Sequence, residues 1–386
     1  MCAEIDSTDS KSKNNDCRVL VTGATGYLAM HCVQQLLQQG YKVRGTVRDL
    51  NCLEKINPLR QLANNDRLEL FGATLEDGAD LWEKAATDCT YVLHVASPCQ
   101  MVADKAIVKT AVCGTLNVLR GASQRQCVRK VVLTSSCVLL IHYNKSANVS
   151  VGHKKRKKPF TENDWTNLNW KHLHPYHRSK TLAERVAWNF MQKNPDVSFS
   201  LTVLNPTLIV GPLLQNTKGA SVAIISRFLD GSMSAYPQMK FGLVDVRDVA
   251  RAHILAMKEA KSNGQRILIN AETLSFRQIA KILSEEFAKQ GYSVPRFKVP
   301  YPILWLYARV DNEALQALPF HGHEDNFDNS KASFLLFFLE KYCGFQLLGM
   351  TYKDVRKSLI EMAYDMIERN ILPKNKKYVE EKKTLI

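Results

Sequence analysis

Residues 18–37, Arg-Val-Leu-Val-Thr-Gly-Ala-Thr-Gly-Tyr-Leu-Ala-Met-His-Cys-Val-Gln-Gln-Leu-Leu, change hydrophobic period in mid-course, and that change constrains the fold more than any other stretch. Val19 to Val21 is the short apolar run of a strand buried inside a parallel sheet, whereas Leu28, Cys32 and Leu36, with Val33 and Leu37, recur at helical spacing. Gly23 and Gly26 stand where the period switches. A turn this tight at a helix N-terminus lets backbone N–H groups and the helix dipole face a pyrophosphate, so Gly23, Thr25, Gly26, Tyr27 and Leu28 are expected to bind a dinucleotide. The plain alternative is an ordinary glycine turn; the order strand, turn, helix favours the dinucleotide. The third glycine of the fingerprint is replaced by Ala29, still small enough for the helix to pack closely on the strand.

The next strand selects the cofactor. Gly40 ends the helix and Val43 to Arg48 reads as a strand, at whose end a carboxylate would hold the ribose 2′-hydroxyl of NAD and a cation the 2′-phosphate of NADP. Arg48 stands about 20 residues beyond the glycines, with Arg44 upstream and Lys55 downstream, so NADP (NADPH) is expected, Arg48 and Lys55 meeting the phosphate. Asp49 keeps NAD as the alternative.

At 386 residues, a single α/β core with an appended lobe is expected. The 10 cysteines form no Cys-x-x-Cys pair, residues 1–15 lack a signal-peptide h-region, and no apolar run approaches the ~20 residues of a membrane span. These features point to a cytoplasmic protein with free thiols, no metal and no membrane partner; Phe334 to Leu339 reads as one face of a short core helix. The formal net charge of +15 is clustered, most densely at Lys154-Lys155-Arg156-Lys157-Lys158. A solvated loop accounts for that run and a nuclear import signal is the alternative; no nucleic-acid partner is expected.

Along the chain, residues 1–16 read as a mobile tail, Arg67 to Phe71 as a third strand, and Thr74 and Leu75 as the loop where an adenine would lie. A helix over Asp80 to Ala86 precedes Tyr91 to Pro98, a buried strand whose Val95, Ala96 and Ser97 reach the carboxyl edge where open sheets bind ligands, with His94 in the core. Ala103 to Ser123 is an amphipathic helix and Arg129 to Ser136 a fifth strand, its terminal hydroxyls expected to face the crevice. After a long basic segment, Pro175 to Met191 reads as a helix that opens with Tyr176 and Lys180 one turn apart. An ammonium on the face of a phenol lowers its pKa from about 10 toward working pH and makes it a usable proton donor.

Five segments together resemble the extended short-chain dehydrogenase/reductases: Thr22 to Ala29, His94 to Pro98, Thr134-Ser135-Ser136, Tyr176 with Lys180, and Asn205 to Pro212. Val43 to Arg48 is similar to the dihydroflavonol reductase-like branch, which includes cinnamoyl-CoA reductases and fungal aldehyde and ketone reductases; the likeness spans residues 17–370. The resemblance implies a Rossmann-type doubly wound parallel sheet with a smaller C-terminal substrate lobe. It implies NADPH-dependent reduction of an aldehyde or ketone, Ser136 holding the carbonyl, Tyr176 protonating it, and Lys180 binding the nicotinamide ribose and tuning the phenol. Pro206, Thr207 and Leu208 would form the loop under the nicotinamide. Thr74 replaces an aspartate usual at the adenine, and Ala111 stands where many relatives carry an asparagine. Alternatives are a nucleotide-sugar epimerase or dehydratase and a non-catalytic NADP-sensing protein.

Ser198 to Leu204 reads as a sixth strand, and Val244 to Ala250, its helix to Ala260, and Arg266 to Asn270 as returns to a nucleotide domain of 17–205. Residues 206–243 and 271–370 would form the substrate lobe, with helices over Val222 to Leu229, Phe276 to Gln290, Ile303 to Leu318 and Tyr352 to Arg369, and a frayed basic tail over 371–386. Asp245 and Asp248 are read as helix-start residues that tie the lobes, and His321 to Glu324 as a polar turn rather than a zinc site.

Overall fold

The computed structural model describes residues 14–98, 106–139, 158–170, 173–311, 326–333 and 347–379, with Ala314, Leu315, Leu318, His321 and Gly322. Expectations for residues 1–13, Lys154 to Lys157, His323-Glu324 and Phe334 to Leu339 lie outside these. The chain lays down β1 (Arg18–Val21), α1 (Tyr27–Gln38), β2 (Lys42–Val47), α2 (Leu53–Arg60), β3 (Leu68–Gly72), α3 (Ala79–Ala85), β4 (Tyr91–His94), α4 (Ala106–Ser123), β5 (Lys130–Thr134), α5 (Pro175–Lys193) and β6 (Ser200–Pro206). It continues through β7 (Leu208–Val210), α6 (Ala220–Ser226), β8 (Lys240–Asp245), α7 (Val246–Lys258), β9 (Arg266–Ile269), β10 (Glu272–Ser275), α8 (Phe276–Phe287), α9 (Tyr301–Tyr307) and α10 (Val355–Glu368).

Seven strands form one parallel sheet in the order β3-β2-β1-β4-β5-β6-β9, the Rossmann-type doubly wound arrangement. Alternate residues supply its two faces. Val19, Val21, Leu93 and Val132 meet α1, α2 and α7 on one side. Leu20, Val92, Val131 and Leu201 meet α3, α4 and α5 on the other. Each such side chain, fully buried, contributes about 1.5–3 kcal/mol. The order reverses between β1 and β4, which opens a crevice at the carboxyl ends beside the glycine turn.

A second sheet, β10-β8-β7, is mixed: β8 runs antiparallel to β10 and parallel to β7. Pro206 ends β6 in the large sheet and Leu208 begins β7 in the small one, so the segment expected as a loop is a switch between sheets. The expected lobe ties are present. Asp245 caps α7, accepting from the Arg247 N–H at 2.7 Å, and takes the Ser358 hydroxyl of α10 at 2.6 Å; Asp248 accepts from the Lys353 N–H at 2.7 Å.

Four expectations need correction. Helix α2 was not anticipated, because its one-turn core contact, Ile56 and Leu59, is too short to show a period and Pro58 interrupts the pattern. The expected helix over Ile303 to Leu318 is interrupted: α9 ends at Tyr307, a turn follows through Val310, and Ala314 and Leu315 are helical again. Asn14 to Asp16 are pinned, Asn14 Nδ2 donating to the Gln39 carbonyl at 3.1 Å and Asp16 lying 3.6 Å from Lys42. The basic tail docks through residue 379: Leu372 is buried, Tyr292 donates to the Pro373 carbonyl at 2.9 Å, and Tyr378 donates to Glu368 at 2.6 Å. Leu372 and Tyr378 supply the apolar surface that holds it against α8 and α10.

Candidate active site

Gly23 takes a left-handed φ of +65°, and a Cβ there would lie 3.0 Å from the Ala96 Cβ. Only glycine meets both demands cheaply. The Gly23 N–H donates to Thr46 Oγ1 at 2.9 Å and the Gly26 N–H to the Gly23 carbonyl at 2.8 Å, which fixes the turn. Gly26 is the N-cap of α1 and no side chain caps that helix, so its first-turn amides face the crevice with the positive end of the dipole. Ala29 is buried 3.8 Å from where a Gly26 Cβ would stand, the close packing that its small size allows.

β4 meets this turn from the other side. The Ala96 N–H donates to Thr22 Oγ1 at 2.9 Å, and that hydroxyl pairs with His94 Nδ1 at 2.9 Å, so Val95, Ala96 and Ser97 are held beside Gly23. His94 is the core histidine expected. Burial pushes its pKa down to about 3 and the Lys180 ammonium acts in the same direction, which keeps the ring neutral.

At the end of β2, Arg48 is exposed and no side chain among the described residues pairs with it. Asp49 is committed locally, its Oδ1 accepting from the Asn51 N–H at 2.8 Å. Lys55, half-buried on α2, donates to the Asn216 carbonyl at 3.1 Å. Arg44 is not part of this field. Its guanidinium is buried under the sheet, donating to the Ala85 and Thr87 carbonyls at 2.9 and 2.7 Å and pairing with Glu69 at 3.0 Å, because strand alternation turns it away from the crevice. The Thr74 N–H and hydroxyl both donate to Asp77 Oδ2, at 2.6 and 3.0 Å, so a carboxylate three residues on supports the loop after β3. Leu75 packs on α4, where a Cβ at Gly114 would lie 2.8 Å from its own.

Of the three hydroxyls ending β5, Thr134 faces away from the crevice. It donates to His253 Nε2 at 2.7 Å, the other ring nitrogen donating to the Val249 carbonyl at 2.7 Å, since the pleat points this residue toward α7. Ser135 is buried, its N–H donating to the Leu204 carbonyl at 2.7 Å. Ser136 is buried where the chain leaves the strand, its Oγ accepting from the Val138 N–H at 3.4 Å. Opposite, α5 starts on a His174 N-cap that accepts from the Tyr176 N–H at 3.2 Å, with Pro175 in the first turn. Tyr176 is half-buried, and the buried Lys180 places its ammonium 6.0 Å from the phenol ring centre. Thr207 turns its hydroxyl onto the Ile269 carbonyl at 3.3 Å, in the step between the two sheets.

A family model for the NAD dependent epimerase/dehydratase family matches residues 19–271, from β1 to the end of β9. The chain belongs to this family. Within the NAD dependent epimerase/dehydratase family it falls in the dihydroflavonol reductase-like and aldehyde reductase-like branch. It is 37% identical over 275 residues to cinnamoyl-CoA reductase CAD2 of Medicago truncatula, covering 69% of this chain and 80% of that one. It is 30% identical over 307 residues to anthocyanidin reductase of Arabidopsis thaliana, covering 72% and 85%. The structure of yeast methylglyoxal/isovaleraldehyde reductase Gre2 complexed with NADPH superposes with a TM-score of 0.71 at 25% identity, covering 92% of this chain and 99% of that one.

Some features of this family member escape a reading of local sequence. Tyr27 donates its hydroxyl to the Gly211 carbonyl at 2.8 Å, and His31 Nε2 donates to the Pro212 carbonyl at 3.0 Å. Gln215 donates to the Thr25 carbonyl in the glycine turn. Glu184, one turn past Lys180, is buried among Asn205, Arg266 and Trp188. The spacing Tyr176, Lys180, Glu184 on one helix face was the available signal for the last.

Proposed function

We propose that the protein reduces an aldehyde or ketone with NADPH, through Ser136, Tyr176 and Lys180. The observation that carries this reading is the Tyr176–Lys180 pair in the first turns of α5, the buried ammonium lying 6.0 Å from the phenol ring centre. On this reading the phenol and its neighbouring cation work beside the dinucleotide cradle. The cradle fits the cofactor: Gly23 and Gly26 leave backbone clear for a diphosphate, Arg48 is uncommitted for a 2′-phosphate, and Asp49 is occupied by Asn51.

Bound NADPH supplies a hydride to the carbonyl carbon. Ser136 donates a hydrogen bond to the carbonyl oxygen and fixes its position. Tyr176 transfers its phenolic proton to that oxygen as the C–H bond forms, giving the alcohol, and regains a proton from solvent. Lys180 stabilises the phenolate through its charge. The small sheet with α6, α8, α9 and α10 forms the lobe that covers the substrate, and the described thiols Cys32, Cys52, Cys89, Cys113 and Cys127 suit a cytoplasmic location.

Purified protein screened for NADPH oxidation against aldehydes, ketones and sugar nucleotides tests the proposal. Turnover with aldehydes or ketones that Tyr176→Phe abolishes is expected. Turnover confined to sugar nucleotides makes the protein an epimerase or dehydratase instead.

A further inference from the structure

Glu184 sits one turn beyond Lys180 and two beyond Tyr176, on the same face of α5. Its carboxylate is buried and fully engaged: Oε1 accepts from Arg266 Nε at 2.5 Å and from Trp188 Nε1 at 3.2 Å, and Oε2 accepts from Asn205 Nδ2 at 2.9 Å. The same Asn205 amide reaches the Ser136 carbonyl at 3.4 Å. One carboxylate thus joins the helix that bears Tyr176 and Lys180 to the peptide of Ser136 through a single intervening residue. Arg266, at the start of β9, lies 3.7 Å over the Trp165 ring and donates to the Glu162 and Asp164 carbonyls. The segment that returns the chain to α5 is therefore anchored on the same cluster.

We propose that Glu184 is a positioning residue which, through Asn205 and Arg266, sets the separation of Ser136 from the Tyr176–Lys180 pair, with the Arg266–Trp165 stack making residues 158–170 part of that setting. The inference rests on the reductase reading of those three residues. An apolar side chain at 184 could fill the same volume but would leave α5 free to slide and rotate on β6 and β9. A carboxylate with three directed partners removes those freedoms. Displacing a reacting group by about 1 Å costs on the order of 100-fold in rate. Glu184's partners lie on α5, β6 and β9, away from the β1–α1 turn and Arg48, so the chemical step should suffer far more than NADPH affinity, whose diphosphate and 2′-phosphate contacts are left in place.

The test uses the full chain and its Glu184→Gln, Glu184→Asp, Trp165→Leu and Tyr176→Phe variants, with methylglyoxal and cinnamaldehyde as carbonyl probes. NADPH fluorescence titration gives the affinity and the number of competent sites, and kcat is expressed per NADPH site, so loss of folded protein does not count as loss of rate. Glu184→Gln is expected to bind NADPH within about threefold of wild type and to lose about 10- to 100-fold in kcat, with Glu184→Asp recovering part of it. Amide exchange over 158–170 is expected to rise in Glu184→Gln. A Glu184→Gln kcat per site within threefold of wild type, with Tyr176→Phe silent, overturns the positioning role and leaves the reductase reading intact. Tyr176→Phe as active as wild type overturns both. If Glu184→Gln gives no soluble protein, Trp165→Leu decides: a severalfold fall in kcat per site supports the proposal, and an unchanged kcat overturns it.

Discussion

Arg48→Ala should separate the two nicotinamide cofactors. Arg48 is exposed at the end of β2 with no side-chain partner among the described residues, so its removal breaks nothing in the free protein. What is lost is its grip on a 2′-phosphate, and a charge-assisted hydrogen bond is worth about 1.5–3 kcal/mol, or roughly ten- to a hundredfold in affinity. Solvent exposure places the expectation toward the lower end. Lys55 compensates poorly, since it must first give up the Asn216 carbonyl 3.1 Å away. NADH has no phosphate to lose and should bind within about twofold of wild type. Titrating both cofactors by nicotinamide fluorescence at fixed low salt measures this directly, and the NADPH loss should shrink as salt is raised. Equal losses for the two cofactors would refute the reasoning and reduce Arg48 to a support for the strand end. A wild type that prefers NADH would instead put Asp49 on the ribose.

Gly23→Ala should abolish NADPH binding while the fold survives, because a methyl at φ +65° and 3.0 Å from Ala96 moves the turn; titration with unchanged affinity would sink the cradle assignment. Tyr27→Phe leaves the Gly211 carbonyl without its donor and should destabilise the fold by about 1–3 kcal/mol in urea; an unchanged midpoint would mean that the tie is not formed in solution. Burial holds His31, His94 and His253 at about 4, 3 and 4 in the folded protein, against about 6.5 unfolded. Unfolding therefore takes up protons at acid pH. The stability from these neutral rings is complete above about pH 6.5 and is lost as pH falls through about 4, each ring contributing up to about 1.4 kcal/mol per pH unit. Urea midpoints from pH 7 to 4.5 that stay flat would contradict this.

What could be read from the sequence was local. The glycine turn, the strand and helix around it and the Tyr176–Lys180 pair each lie within a few residues, where period and spacing carry the geometry. The direction of Arg44 and Thr134 could not be read that way, since one step of strand alternation decides between crevice and core. The small sheet was hidden for a different reason: β7 and β10 are only 3 and 4 residues long and gain their identity by pairing with β8. The ties from Tyr27 to Gly211 and Glu184 to Arg266 join residues far apart in the chain, and nothing local to either partner marks the other, whereas Asp245 and Asp248 could be read as lobe ties only without their partners, Ser358 and Lys353. The loop after β3 was half legible: Thr74 marked a departure from the family pattern, but Asp77 as its bonding partner needed the turn itself.

Following a deuterium label from the hydride position of NADPH tests the central claim most directly. Wild type, incubated with labelled NADPH and an aldehyde or ketone that it turns over, is predicted to place the deuterium on the former carbonyl carbon, and Tyr176→Phe to bind the cofactor but transfer almost none. Turnover without label in the alcohol, or full transfer by Tyr176→Phe, would contradict the account.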